Sequence, residues 1–370
     1  MRTDSARGLL DHPGPFVSLH FDDSHATHDS ARQAESRWNA MHRHLKDSGV
    51  PEPLTAEMRN AVFSRTPAVG LRGRLLIAAR DGVHLDERLS DAPPATQIRV
   101  SIYPYLLPLC DAAAARPPYI FAAVDHLGAD LTVHAEHGES IESVVGPGFP
   151  VHKPASAGWH GYADVEGSVE ESARLNARTV ADRITTVADR IGAQLVFVCG
   201  EVRARTDIMS ALALRVRELV VPLPAGAHGG RARELEFADR LSAEFARRGR
   251  TEIDTAVTRL KSEIARESGA AVQGLSAVCA ALRDGAVATL VIDRLRGATV
   301  VVGRELTAIA ADPDSLSDLG EPPCHTALAD EALPYVAVAG HASIVRTVDE
   351  AGLPDGVGAL LRYTPHDSAT

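Results

Sequence analysis

Ser168-Val169-Glu170-Glu171, then Ala173, Val180, Ile184, Val187 and Ile191, then the run Gln194-Leu195-Val196-Phe197-Val198-Cys199 form the stretch that decides the fold. The four opening residues have capping-box spacing, in which a serine and a glutamate three positions on satisfy orphan N–H groups at a helix start. The apolar residues after them recur on one helical face. Gln194–Cys199 is almost continuously apolar, as a strand covered on both faces is, and a further helix is predicted through about Leu219. Helix, strand and helix in succession make this part of the chain α/β.

Toward the N-terminus, Tyr119–Asp125 and Leu131–His137 are predicted strands joined by a turn containing Gly128. Between Gly138 and Gly167 neither period persists, so a long loop is expected over 150–167, ahead of the helix beginning at Ser168. Within Val151–Asp164 the segment Gly158-Trp159-His160-Gly161-Tyr162 gathers a tryptophan, a histidine and a tyrosine between glycines, with His152 and Lys153 close by. Long irregular loops tend to carry function. Exposed aromatics beside cationic groups suit stacking on unpaired bases and contact with phosphates. The competing reading has Trp159 folding back to plug its own domain.

Two breaks divide the chain, Ala115-Arg116-Pro117-Pro118 and Pro222-Leu223-Pro224-Ala225-Gly226-Ala227-His228-Gly229-Gly230, giving three expected domains at 1–116, 117–225 and 226–370. In the first, Phe16–Phe21, Arg74–Ala79 and Gln97–Tyr103 are predicted strands, and Asp81-Gly82 is a hairpin turn. Ala31, Ala34, Trp38, Met41 and Leu45 form a helical stripe in the same domain. In the third, a charge-rich helical region from Arg231 to Ser268 precedes a helix carrying Val272, Leu275, Val278 and Leu282. Strands are predicted near Ala288–Ile292, Ala298–Val302, Tyr335–Val338 and Ser343–Val348, and a last one closes the chain. The predicted class is mixed α/β.

At 370 residues the chain exceeds the size at which one core stops growing, and 45% hydrophobic with 24% charged residues is ordinary globular composition. A net charge of -11 argues against non-specific nucleic-acid binding, which needs an excess of Lys and Arg. Only 4% of residues are aromatic, too few for a single-strand binder built on stacking platforms. Cys110, Cys199, Cys279 and Cys324 stand singly, without the close pairs of zinc or redox motifs, and packing is the preferred reading for each. A reduced, cytoplasmic setting is expected, with no apolar run long enough to span a bilayer.

His20, Asp22, Asp23, His25 and His28 are the densest group of metal-ligating types. A strand end followed by an acidic helix start explains them better than a metal site, because no second cluster completes a coordination shell. No G-x-S-x-G, P-loop or G-x-G-x-x-G pattern is present. Gly229-Gly230-Arg231 is accounted for as linker.

Gly285-Ala286-Val287-Ala288-Thr289-Leu290-Val291-Ile292 and the closing G-x-G-A-x-L-R-Y of Gly356–Tyr363 resemble the third domain of the archaeo-eukaryotic class I release factor and Pelota superfamily. Phe16-Val17-Ser18-Leu19 and Tyr103-Pro104-Tyr105-Leu106-Leu107-Pro108-Leu109 resemble the first domain of its bacterial branch, which includes the Balon ribosome hibernation factors. The resemblance implies a three-domain, tRNA-shaped protein whose last domain is similar to kink-turn-binding ribosomal proteins. Release factors of this superfamily carry Gly-Gly-Gln at the tip of the middle domain, just before a long helix; the 150–167 loop occupies that place without the tripeptide. The Asn-Ile-Lys-Ser and Tyr-x-Cys-x-x-x-Phe stop-codon signatures are also missing.

The resemblance therefore implies a non-enzymatic ribosome-binding factor with no cofactor and no metal, occupying the A site as a hibernation factor. Its loop residues His152, Lys153, Gly158, Trp159, His160, Gly161 and Tyr162 would face the rRNA of the peptidyl-transferase centre, and its first domain the decoding centre. It further implies elongation factor Tu as a partner of the third domain. The alternative is a rescue or peptide-release factor, or a peptidyl-tRNA or tRNA hydrolase using His152, His160 or Asp164 as acid or base.

Overall fold

The computed structural model describes residues 4–25, 30–64, 68–69, 72–89, 91–110, 117–135, 138–147, 162–224, 233–347 and 351–363. The chain is mixed α/β and separates into two compact units, Met1–Ala115 with Phe245–Thr370, and Arg116–Glu244.

In the unit Arg116–Glu244 a five-stranded sheet has the order Val220–Pro222, Leu195–Gly200, Tyr119–Val124, Gly128–Ala135, Gly138–Val145. The first three strands are parallel and the last two antiparallel to their neighbours. Helix Tyr162–Ile191 lies on one face, burying Ala177, Val180, Ala181, Ile184, Val187 and Ala188 at steps of three and four against Ile120, Ala122, Val124, Leu131, Val196 and Val198. The strand period of two sends Tyr119, Phe121 and Phe197 to the opposite face, where the Phe237 ring meets Phe121 at 5.9 Å. There Glu234 accepts hydrogen bonds from the Tyr119 hydroxyl and His134 Nε2, both at 2.8 Å.

Two expectations fail in this unit. The helix begins at Tyr162, so Ser168 lies inside it rather than at its start. Gly138–Val145, expected to be irregular, is an edge strand whose residues are mostly exposed. Its Gly138-Glu139-Ser140-Ile141-Glu142-Ser143-Val144-Val145 lacks apolar alternation because neither face is fully covered, which removes the signal that normally marks a strand.

In the other unit, Phe16–Asp22, Gly73–Ala79, Gly82–Leu89 and Gln97–Ser101 form an antiparallel sheet. Helices Ser30–Asp47 and Glu52–Ser64 cover one face with Trp38, Met41, Leu45, Leu54 and Met58 over Val17, Leu19, Phe21 and Leu76. The opposite side, with Phe16, Leu75, Ile77, Leu85 and Leu89, belongs to one continuous core with Val278, Leu282, Leu290, Ile292, Leu333, Val336 and Ile344 of the C-terminal segment. That segment pairs Ala271–Gln273, Val357–Leu361, Val287–Ile292 and Ser343–Arg346 in one sheet and Ile309–Ala310, Thr299–Val302 and His325–Leu328 in another. The predicted strand at Tyr335–Val338 is part of helix Ala329–Ala339. Because Leu333 to Val338 are buried throughout, the run carries no periodicity by which a strand and a core helix could be told apart.

One buried and one half-buried cation hold polar chemistry inside this unit. Arg74, only 1% exposed, satisfies its guanidinium with Asp86 (2.7 and 2.9 Å) and the carbonyls of Ala61 (2.7 Å) and Val62 (2.9 Å). Arg99 joins the N- and C-terminal segments through a bidentate pair with Asp330 (2.9 and 2.8 Å), a third bond to Glu331 (3.0 Å), and a Tyr105 ring 3.9 Å from its guanidinium carbon. The Tyr103 hydroxyl donates to the Leu306 carbonyl at 2.6 Å beside them.

Replacing Arg99 by Met strands the buried Glu331 carboxylate while keeping the volume. The expected loss is about 2 to 4 kcal/mol, below that for a fully buried pair because Arg99 and Asp330 retain 24% and 23% side-chain exposure. Urea denaturation of the full chain measures it, and a loss under about 0.5 kcal/mol, the level of an ordinary surface change, contradicts the assignment.

His20 supplies a pH-dependent term. It is buried on strand Phe16–Asp22, and among the described residues neither ring nitrogen has a partner of good hydrogen-bond geometry. Burial lowers its pKa; the Gln97 side chain beside it acts the other way, and the Arg346 charge adds to the lowering. The unfolded imidazole takes its proton near pH 6.5 and the folded one only at lower pH, so stability is full above about 6.5 and falls as the solution is acidified toward the folded pKa. His20→Met is expected to flatten that fall. Melting curves of both proteins at about pH 7.5 and 5.5 check it, and equal acid sensitivity rejects it.

Candidate functional site

The parallel strands Tyr119–Val124 and Leu195–Gly200 end at the same edge of their sheet, where Gly128–Ala135 begins and Gly138–Val145 finishes. In open α/β sheets this carboxyl edge is where ligands are bound, because loops and helix starts converge there. The described chain leaves this edge after Pro147 and resumes at Tyr162, the first residue of the long helix, which meets the edge at Asn176.

Several polar contacts fix that edge. Asp125 Oδ1 accepts the backbone N–H groups of Leu127 and Gly128, both at 2.8 Å, closing the turn between two strands. Asn176, 1% exposed on the apolar side of helix Tyr162–Ile191, donates through Nδ2 to the His126 carbonyl at 3.0 Å. A Cβ at Gly146 would lie 2.0 Å from Asn176 Oδ1, so the strand can pass the helix only where the residue has no side chain. At Gly200 φ is +130°, and a Cβ would meet the Val124 carbonyl at 1.9 Å. These two glycines and Asn176 bring strand ends, turn and helix close together.

The rim of the edge is charged. His126 Nδ1 lies 3.2 Å from Glu201 Oε2, and Arg203 donates to Glu170 at 2.8 Å. Farther along the helix, Arg183 forks onto Glu142 with two 2.7 Å bonds, tying the edge strand Gly138–Val145 to the helix. The bond from Arg183 holds the Glu142 carboxyl below the usual range. A histidine oriented by a carboxylate can relay a proton, while the arginines suit phosphate contact.

The residues predicted to touch RNA fall partly beyond what the structure describes. His152, Lys153, Gly158, Trp159, His160 and Gly161 lie outside the described residues; Tyr162 opens the helix, its side chain outside the described set. His126, Glu201, Arg203, Glu170 and Asn176 were missed by sequence reasoning. Only Asn176 left a trace, as a polar residue on the apolar stripe of its helix. The others stand at strand ends and a helix start that share an edge only after folding.

The cysteines pack. Burial pushes the Cys199 and Cys279 thiols up to about 12, so neither forms a thiolate near neutral pH. Around His20, Asp23 lies 3.9 Å from the buried Arg74 and Asp22 Oδ1 accepts the Ser24 N–H at 2.8 Å. These carboxylates serve the strand end, and His28 lies outside the described residues. Among the described residues no helix is long and apolar enough to cross a membrane.

Over 363 residues the chain is 47% identical to the uncharacterized proteins Rv2629 and MT2704 of Mycobacterium tuberculosis, covering 98% of this chain and 97% of each relative. Residues 118–266 match the family described as bacterial archaeo-eukaryotic release factor family 2. Among solved structures, an archaeal translation termination factor aRF1 is similar at 15% identity over 98% of both chains, with a TM-score of 0.25. Archaeoglobus fulgidus Pelota is similar at 15% identity over 79% of this chain and 80% of its own, with a TM-score of 0.34. Archaeal Pelota in a ribosome-bound model with ABCE1 gives 16% identity over 98% and 94%, with a TM-score of 0.41. On the sequence matches, the chain belongs to the bacterial branch of the archaeo-eukaryotic release factor family.

Proposed function

We propose that the protein is a ribosome-binding factor that occupies the A site as a hibernation factor, without hydrolysing peptidyl-tRNA. The observation that carries this reading is a release-factor family chain with no Gly-Gly-Gln anywhere in its sequence. The chain leaves the carboxyl edge of the sheet after Pro147, and the helix that follows the 148–161 segment meets the same edge at Asn176, so its first turns run beyond the edge and the sequence between carries Trp159 and His160. In this reading His152, Lys153, Gly158, Trp159, His160, Gly161 and Tyr162 meet rRNA of the peptidyl-transferase centre, and the N-terminal segment meets the decoding centre. The C-terminal segment contacts elongation factor Tu.

The factor is expected to pellet with vacant or stalled ribosomes at moderate salt. Because its net charge is -11, its affinity is expected to fall less steeply with salt than that of a basic factor making many phosphate contacts. Absence from the ribosomal pellet rejects the reading. A reconstituted complex also tests the elongation factor Tu contact.

The His126–Glu201 pair favours one second reading, hydrolysis of peptidyl-tRNA or tRNA, since it supplies an oriented imidazole at the carboxyl edge of the sheet. Variants separate the two. If the loop binds by stacking, Trp159→Ala or Tyr162→Ala costs roughly 1 to 3 kcal/mol of ribosome affinity and leaves melting nearly unchanged. In that case His160→Ala and His126→Gln have small effects. If the factor is a hydrolase, one of those histidine variants abolishes turnover while ribosome affinity survives. Unfolding by Trp159→Ala makes the tryptophan a core plug and removes the loop from both readings.

A further inference from the structure

His12, Asp81 and His84 converge at the tip of the hairpin between Gly73–Ala79 and Gly82–Leu89. Asp81 Oδ2 lies 2.9 Å from His12 Nδ1, and Oδ1 lies 2.8 Å from His84 Nε2. The two imidazoles stack at 3.5 Å between centroids and 24° between planes. The three ligand-capable atoms lie within 4.8 Å of one another, although the residues come from two separate stretches of chain.

The supports of this group are rigid. Asp81 stands in the turn before Gly82, whose φ of +137° a side chain would strain, and Glu57 Oε1 accepts the Val83 N–H at 3.0 Å, fixing the hairpin to helix Glu52–Ser64. His12 follows the short helical turn Gly8–Asp11, which Ala6 and Leu9, each 1% exposed, anchor in the shared core. Both rings are mostly covered and the Asp81 carboxylate is 56% exposed, leaving a solvent path and room for water ligands.

We propose that His12 Nδ1, His84 Nε2 and an Asp81 carboxylate oxygen form a site for a divalent transition metal of the Zn2+ class, completed by water. Two imidazole nitrogens and one oxygen are a borderline donor set that favours zinc over the all-oxygen preference of magnesium or calcium. Bonds of about 2.0 to 2.1 Å in a tetrahedron put neighbouring donor atoms about 3.3 Å apart. The two N···O distances therefore need to open by roughly half an ångström. The ion lies off both N···O lines, so the stacked rings must also turn to aim both nitrogen lone pairs at it, and the displaced protons go to solvent. The ion staples the N-terminal segment to the hairpin.

The full chain, stripped with chelator, is titrated with Zn2+ in competition with a chromophoric chelator and melted with and without the metal. One tight equivalent and a rise in melting temperature are expected. Changes outside the ligand set of a zinc site cost 10–100-fold in affinity, so Asp81→Asn and His84→Gln are each expected to weaken binding by at least about a hundredfold and abolish the melting shift. Asparagine suits a turn, so Asp81→Asn is expected to fold, which circular dichroism checks. His44→Gln, an exposed histidine elsewhere, leaves the tight equivalent unchanged. No tight equivalent, one that survives both ligand variants, or equal occupancy by Mg2+ overturns the proposal.

Discussion

One guanidinium decides how the ends of this chain are joined. Arg99 lies on strand Gln97–Ser101 near the N-terminus, while Asp330 and Glu331 open helix Ala329–Ala339 more than two hundred residues later. The hydrophobic effect alone brings these segments together but is non-directional, so it leaves their register loosely specified. A planar guanidinium gripped by one carboxylate in two bonds, by a second in one, and set over the Tyr105 ring admits a single arrangement. The apolar core from Phe16 through Leu333 to Leu361 then fills around a fixed point. Burying Glu331 without this partner would be costly, so the pair stabilises one geometry chiefly by penalising the others.

In the other unit the corresponding constraint is close packing at the carboxyl edge. Asn176, Gly146 and Gly200 leave no space for a larger side chain, so the departure point of the 148–161 segment is set by backbone contacts rather than by the segment's own residues. The packing beneath the segment is therefore independent of the segment's own sequence, as is common where loops leave a rigid scaffold.

The same physics explains what could be read from the sequence. Ser30–Asp47 was legible because burial on one face leaves a period, Tyr119–Val124 and Leu195–Gly200 because a short unbroken apolar run marks a strand covered on both faces, and the hairpin by its Asp81-Gly82 turn. Gly138–Val145 was not, because an exposed edge strand needs no apolar alternation; its pairing with Gly128–Ala135 and the Arg183–Glu142 fork hold it instead. The helix start was misplaced at Ser168 because capping-box spacing states a local preference, and six residues of continuing helix override it. The candidate site was legible only as the loop itself. Its charged rim joins His126, Glu170, Glu201 and Arg203, and no local pattern links positions that far apart.

An acidic chain and an RNA partner are compatible for a reason visible in the charge placement. At physiological ionic strength a charge is felt over about 8 Å, so a docking face responds to the groups on it and hardly to the total of -11. Around the carboxyl edge and the adjoining helices, carboxylates are held by cations: Glu170 by Arg203, Glu142 by Arg183, and Asp189 by Arg215 at 2.6 Å. These exposed pairs add little stability, but each removes an uncompensated negative charge from the surface. An approaching phosphate can also exchange with the carboxylate on a paired arginine, since the guanidinium fork binds either anion with two parallel hydrogen bonds. In the proposed reading, arginines that exchange one anion for another let shape and a few contacts govern association, without the long-range attraction of a basic surface.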